Sequence, residues 1–402
     1  MNFATLQGLT IPEGVVTQIT DASGRVIWAV QNDKPVVLEV EKITSDTYAG
    51  ETTYTGEQFI LLDIYPKTNG TVKVTYGGLT KTITDISGAA EPNAQQVFFG
   101  TFNGVSDSVS TPASGELTIE GDCYAVAASK FSSSSKSIIP SSCTCVRRID
   151  SLGVVNDIPG DAFAHMLTNQ TALKIPSTVK QIGSGAFSGS TMTSVYLLNG
   201  IERIKPAAFA STNLTSVNIP ASIKEMGRDE STIGENTMLL LQDPFRECDL
   251  DVITIDERNS RYKVDGNCLV EIDTNMVVSG CNNSVIPNYI TELMTYCFSG
   301  RKSLKSIDIP SSLTVISQGA FYNSGLTSVI IPQWVTQIEP YAFNTESMVK
   351  AVFLRTTPPT LSTMAGSEFH ANTTIIVPKG CGETYKIAEG WSDYADRIVE
   401  AS

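Results

Sequence analysis

Seven phenylalanines in this chain follow a small residue or proline, at Phe163, Phe187, Phe209, Phe245, Phe298, Phe321 and Phe343, and five of the seven read Ala-Phe. Four of the six intervals are 22, 22, 23 and 24 residues. A second mark, Ile-Pro, runs in step with the first, its prolines at Pro176, Pro220, Pro287, Pro310 and Pro332. Two marks at one period of 22–24 residues define a repeat of leucine-rich length. A single unit of that size cannot bury its own apolar face, so units must stack into a solenoid. A solenoid offers a broad surface for recognition, whereas catalysis needs reactive groups that converge.

A well-formed unit runs Leu214-Thr215-Ser216-Val217-Asn218-Ile219-Pro220 and continues through Met226; residues 304–316 and 326–338 repeat the pattern. Its β-branched residues predict a strand, and proline ends the pairing because it has no N–H for the ladder. A second extended piece, such as residues 335–338, leads into the Ala-Phe turn, where the ring is expected to stack inward on its counterparts. The array is placed at residues 138–378. It departs from its period twice: 36 residues separate Phe209 from Phe245, around an insertion at 227–243, and 53 separate Phe245 from Phe298. The longer gap leaves room for a degenerate unit through Tyr262, Asn267-Cys268-Leu269 and Val277-Val278. Insertions in solenoids emerge as loops from one face, often the binding face. Residues 379–402, with Tyr385, Trp391 and Tyr394, predict a helical cap over the last repeat.

The first third has a different texture. Residues 1–31 predict a β-hairpin around Asp21-Ala22-Ser23-Gly24, too small to be stable alone. Residues 32–130 hold short β-prone runs at 36–40, 59–64, 71–76, 80–86, 97–102 and 116–119, parted by turn clusters such as Lys67-Thr68-Asn69-Gly70 and Gly77-Gly78. Close spacing without helical periodicity predicts one or two antiparallel β-sandwich (Ig-like) modules. A serine tract at 132–135 is the expected soft joint before the repeats. The fold class is therefore mainly β: a sandwich, then a solenoid with parallel strands, then a helical cap.

Charge and composition exclude several roles. The chain carries 42 Asp+Glu against 28 Lys+Arg, a formal charge of −14, which argues against nucleic acid or an anionic membrane as main partner. No apolar run approaches the roughly 18 residues of a membrane span, so no membrane insertion is expected. The start, Met1-Asn2-Phe3-Ala4-Thr5, shows neither a basic region nor a long apolar run, so no secretory signal is visible. Eight cysteines are too few for a disulfide scaffold; those within the repeats read as buried thiols, and Cys143-Thr-Cys145 matches no specific motif.

The repeats resemble the BspA-type (Treponema-type) leucine-rich repeat of bacterial surface proteins, with its Leu-x-Ser-Ile/Val-x-Ile-Pro, Val/Ile-x-x-Ile and Ala-Phe segments. The likeness covers about residues 138–400, including the ending Ile376-Val377-Pro378-Lys379-Gly380 and Trp391-Ser392-Asp393-Tyr394-Ala395. It implies a curved solenoid used for adhesion or protein binding, with no catalytic residues to carry over. Pro244-Phe245, Cys297-Phe298 and the unit near Cys268 depart from the pattern and put the curvature there in doubt. Ile11-Pro12-Glu13-Gly14 and Ile19-Thr20-Asp21-Ala22-Ser23-Gly24-Arg25-Val26-Ile27-Trp28 are similar to N-terminal modules of phage and prophage tail-associated proteins of Gram-positive bacteria. Residues 54–122 resemble the β-rich modules that accompany them. That resemblance implies a virion component, which would need no secretory signal.

No constellation for chemistry emerges. His165 and His370 are the two histidines and lie in opposite parts of the array, so no Ser-His-Asp or Cys-His set can form around a shared one. There is no phosphate loop, nucleophile elbow or His-Glu-x-x-His. Asp249-Leu250-Asp251 and Asp256-Glu257 lack the ligand spacing of a calcium loop and read as a solvated edge. No catalytic, metal-binding or cofactor-binding residue is expected. What remains is surface. If the Ser-Val-x-Ile strands stack about 4.8 Å apart, their variable position forms an outward row: Lys174, Tyr196, Asn218, Thr254, Val285, Asp308, Ile330 and Val352. Tyr196, Trp334 and Tyr341 are the candidate exposed aromatics. The expected role is non-enzymatic binding of a cell-surface protein or glycan by a virion or cell-surface protein. The alternatives are a secreted bacterial adhesin and, more remotely, a glycan-active enzyme with a carboxylate-lined pocket beside the 227–243 insertion.

Overall fold

The structure is a computed structural model and describes residues 18–20, 26–29, 35–44, 58–85, 94–102, 105–128, 146–153, 155–233, 236–361 and 367–402. Near the N-terminus, Gln18–Thr20 pairs antiparallel with Val26–Ala29, while the turn expected at residues 21–24 lies outside the described residues. Two antiparallel sheets of five strands follow. One is ordered Val146–Leu152, Val36–Glu41, Ser114–Gly121, Thr71–Tyr76, Leu79–Thr84. The other runs Cys123–Ala128, Gln58–Pro66, Gln95–Phe102, Val105–Ser106, with Ile43–Thr44 also on Gln58–Pro66. Alternation sets the faces: Val36, Leu38 and Val40 of one strand and Val72, Val74 and Tyr76 of another are buried, with more exposed residues between them. Tyr76 meets Phe99 of the second sheet edge-to-face at 5.7 Å, and its hydroxyl donates to the Pro112 carbonyl at 2.9 Å.

The first of those sheets reaches into the repeats. Val146–Leu152 pairs antiparallel with Val36–Glu41 and covers its edge. The Ile149 N–H donates to Gln170 Oε1 at 2.8 Å, and Gln170 Nε2 donates back to the Ile149 carbonyl at 3.3 Å. The serine tract at 132–135 and the Cys143-Thr-Cys145 pair lie outside the described residues.

The regular repeats form coils with two parallel strands, except the unit at 304–316, where only Val315–Ile316 is a strand. The Ser-Val-x-Ile segments make four-residue strands, of which Ala172–Ile175 pairs with Ser194–Leu197, Ser216–Ile219 with Val252–Ile255, and Ser328–Ile331 with Lys350–Phe353. The extended pieces before the phenylalanine turns make two-residue strands that stack as Asp157–Ile158, Gln181–Ile182, Arg203–Ile204, Glu225–Met226 and, further on, Val315–Ile316, Gln337–Ile338, Thr360–Leu361. At the turns, the Phe N–H donates to the residue before the next phenylalanine: Phe163 to the Ala186 carbonyl, Phe187 to Ala208, Phe298 to Ala320 and Phe321 to Ala342, each at 2.8 Å. Stacking therefore satisfies the turn backbone as well as the strands.

The phenylalanine rings do not form one continuous ladder. Phe163, Phe187, Phe209 and Phe245 stack at 5.8, 5.4 and 5.6 Å. A second run, Phe298, Phe321, Phe343 and Phe369, stacks at 5.1, 5.2 and 5.7 Å. Phe369 escaped the sequence pattern because Glu368, not a small residue, precedes it. Between the runs lies the degenerate unit, an antiparallel meander of Tyr262–Asp265, Cys268–Glu271 and Met276–Ser279, whose last strand pairs parallel with Glu292–Leu293. Gly280 stands where this coil would carry its phenylalanine, since its N–H donates to the Cys297 carbonyl at 2.7 Å. A Cβ on Gly280 would fall inside the Phe298 ring, so only glycine fits.

The gap holds a buried ion pair. Arg301 and Asp243 are both fully buried, with Nη2 and Oδ2 3.0 Å apart. Arg301 also donates to the carbonyls of Gly280, Phe245, Cys248 and Ser299 and to Ser279 Oγ, which satisfies its guanidinium. Three residues after the phenylalanine, sibling coils carry a small hydroxyl instead: Ser190 Oγ donates to the Phe187 carbonyl and Thr212 Oγ1 to that of Phe209, both at 2.9 Å. Asp243 also accepts from Ser279 Oγ and the Phe245 N–H. Burial pushes its carboxyl up to about 6, against the opposing pull of Arg301.

The C-terminal cap is helical only in part. A five-residue helix, Gly382–Lys386, and a 3-10 turn, Ser392–Arg397, are followed by a final strand, Ile398–Glu400, parallel to Thr374–Val377. Trp391, buried, meets Phe353 at 5.2 Å and Tyr385 at 4.9 Å, and its Nε1 donates to the Pro359 carbonyl at 2.8 Å. These rings cover the end of the second phenylalanine run.

Candidate functional site

The outward row of the strand face is built by alternation. In Ala172–Ile175 the residues Leu173 and Ile175 are buried and Lys174 is exposed, and the same pattern puts Tyr196 and Asn218 outward. Parallel pairing in register sets Lys174 opposite Tyr196, Asn218 opposite Thr254, and Ile330 opposite Val352. Asn218 Nδ2 donates to Thr254 Oγ1 at 2.8 Å, so this polar pair is tied side chain to side chain. Val285 and Asp308 lie in extended segments outside the strands, although both are exposed. Tyr196, Val285 and Ile330 are 59%, 67% and 57% exposed, high values for side chains of their apolar content. Val352 is half-buried.

The row extends beyond the expected residues. Ile376 pairs with Val352, and Val399 with Ile376, so the C-terminal end is an aliphatic stripe of Ile330, Val352, Ile376 and Val399. Ile376 was legible in the Ile376-Val377-Pro378 segment, which carries the proline mark in β-branched form. Val399 left no such signal, because its strand belongs to the cap. At the other end the row is Lys174, Tyr196, Asn218 and Thr254, polar apart from one ring.

The other two candidate aromatics are partly exposed and also packed against neighbouring coils. Trp334 is half-buried, with Nε1 donating to the Pro310 carbonyl of the preceding coil at 2.8 Å. Tyr341 is half-buried and meets Tyr322 edge-to-face. The insertion forms a hairpin, Arg228–Ile233 with Asn236–Leu241. It is pinned by Arg228 to the buried Glu271 at 2.5 Å and by Asp229 to Lys205 and Ser184 at 3.4 and 2.8 Å. Glu225 also faces Lys205, and Glu271 takes a second arginine, Arg261.

Asp249 accepts the Lys302 N–H and Asp251 the Asn282 amide, while Asp256 is held by Arg258. Among the described residues no group of three His, Cys, Asp or Glu is arranged to hold a metal ion. His165 is exposed on the first phenylalanine turn, and His370 sits at the last, with its carbonyl accepting from Arg397. Burial pushes the thiols of Cys248 and Cys268 up to about 11 and those of Cys123 and Cys281 up to about 12, and raises Cys297 as well. These cysteines fill core positions. No helix among the described residues is long and apolar enough to cross a membrane.

A coiled stack of parallel strands, an inward aromatic core and an outward row of variable residues define a leucine-rich repeat protein. Residues 131–230 and 277–388 match the BspA type leucine-rich repeat region in six copies, and the chain belongs to that family. A leucine-rich cell surface protein from Faecalibacterium prausnitzii is similar at 21% identity with a TM-score of 0.42, over 62% of this chain and 67% of its own. A leucine-rich repeat protein from Eubacterium ventriosum is similar at 21% identity with a TM-score of 0.40, over 57% and 66%. The pneumococcal vaccine antigen PcpA is similar at 15% identity with a TM-score of 0.39, over 61% and 69%. No curated protein matches the chain.

Proposed function

We propose that this protein is a non-enzymatic recognition protein that binds a cell-surface protein or glycan through the outward row of its strand face. The observation that carries the reading is that row itself. Along it, large side chains such as Tyr196 and Ile330 stand exposed at positions the fold leaves free to vary. Such anchors supply contact area that scattered surface residues do not. The N-terminal modules serve attachment in this reading, and the protein works as a phage or prophage tail-associated component. A bacterial surface adhesin is the alternative, and membership of the BspA-type family favours it.

The test is binding of the full-length chain to intact Gram-positive cells and to host epithelial cells. Tyr196→Ser combined with Ile330→Ser is expected to lower binding at least tenfold without shifting the melting temperature. Undiminished binding by that variant, or no binding by the unaltered chain, overturns the reading. Phage structural genes beside the coding sequence would select the virion over the adhesin.

A further inference from the structure

The turn face of the solenoid carries a second row, remote in character from the strand face. Two residues before the ladder phenylalanines the backbone turns left-handed: Asp161 (φ 52°), Gly185 (64°), Ala207 (55°), Tyr296 (63°), Gly319 (59°) and Tyr341 (60°). Glycine adopts this conformation freely, whereas a bulky side chain there is strained. Sibling coils close the same turn with Gly185, Ala207 or Asp161, so the turn does not require tyrosine. Strain that the fold does not need points to a use for the side chain.

The tyrosines form a built platform. Arg246 lies over the Tyr296 ring at 5.1 Å, Tyr296 meets Tyr322 at 6.1 Å, and Tyr322 meets Tyr341 at 6.1 Å, both ring pairs edge-to-face. Gly319 makes room for it, since a Cβ there would fall in the Tyr296 ring. All four side chains are partly exposed. In the three N-terminal coils the same positions hold only Asp161 and Ala164, Gly185 and Ser188, Ala207 and Ala210.

Polar groups beside the platform are fixed. Glu247 accepts from Ser299 Oγ at 2.7 Å and from Asn323 Nδ2 at 2.8 Å, and Lys302 donates to Asn323 Oδ1. Arg246 makes no ion pair among the described residues, and its Nε is buried without a hydrogen-bond partner.

We propose that this row binds a uronate-containing polysaccharide laid along the solenoid axis. The C–H faces of sugar rings carry partial positive charge and suit the negative faces of aromatic rings, while the tyrosine hydroxyls and the fixed Asn323 amide suit sugar hydroxyls. A uronate carboxylate matches the positive charge of Arg246, which has no ion-pair partner among the described residues. The net charge of the chain opposes an acidic polymer only at long range, because salt screens it within about 8 Å at physiological strength. Arg246 and Lys302 decide at contact. This site is independent of the strand-face row.

The experiment is affinity electrophoresis and calorimetry of the full chain with polygalacturonate, alginate and hyaluronan, with dextran as the neutral comparison. At least one uronate polymer is expected to bind and dextran is not. Tyr296→Gly with Tyr341→Gly, and Tyr322→Ser, install the residues that sibling coils use, so the turns should still close. Each should weaken binding tenfold or more with an unchanged melting temperature, and Arg246→Ser should do the same. Tyr196→Ser with Ile330→Ser should leave polysaccharide binding unchanged, which separates this site from the strand-face reading. Binding of none of the three polymers, equal binding of dextran, or full retention by the tyrosine variants overturns the proposal.

Discussion

Asp243 and Arg301 show how one residue changes the chemistry of a repeat. Other ladder turns enter left-handed two places before the phenylalanine, at Asp161, Gly185, Ala207, Tyr296, Gly319 and Tyr341, but Asp243 has no such conformation and caps the Phe245 N–H instead. Its carboxyl is raised by burial to about 6, above its unfolded value. A group so raised holds its proton more readily folded than unfolded. Its contribution is therefore full below about pH 4 and is lost as pH climbs through about 6. The urea midpoint of the unaltered protein should fall across that window, and Asp243→Asn should remove that part of the slope. At pH 7 the same change leaves Arg301 buried without a counterion and should cost about 3–5 kcal/mol.

At the scale of the element, each coil rests on its neighbours through one ring and two short ladders. Phe321 touches rings on both sides, Phe298 and Phe343, and is fully buried. Phe321→Ala should lower the unfolding free energy by about 3–5 kcal/mol, measured by urea denaturation. The regular coils were legible because every mark is a physical necessity repeated: proline at a strand end, a β-branched pair facing in, a ring at the turn. The meander at residues 262–279 was legible as a degenerate unit through Tyr262, Cys268 and Val277, but its antiparallel course was not, since the excursion replaces the period there. Arg301 was hidden for another reason. Charged residues read as surface, and only comparison with Ser190 and Thr212 three places after their phenylalanines marks it as an inward position. The outward row was readable wherever the strand motif held and blurred at Val285 and Asp308, where pairing lapses.

For the whole molecule, the joint between the first sheets and the repeats is a hydrogen-bonded one. Val146–Leu152 belongs to the N-terminal sheet, while Gln170 of the first coil satisfies both backbone groups of its Ile149. The parts should therefore unfold in a single calorimetric transition. Gln170→Ala leaves the buried Ile149 amide unpaired, a cost of about 1–3 kcal/mol, and is expected to split the transition in two. A split already present in the unaltered protein would contradict this coupling.

Within each of the two runs, the recurring bond from a phenylalanine N–H to the residue before the next ring makes the solenoid a ruler. Gaining or losing one regular coil on either side of Gly280 would shift everything beyond it by one strand spacing, about 4.8 Å, without rewriting a single contact type. Reach could then be adjusted in steps while the Arg301 seam and the terminal tryptophan stay as they are. Length, in such a molecule, can vary separately from chemistry.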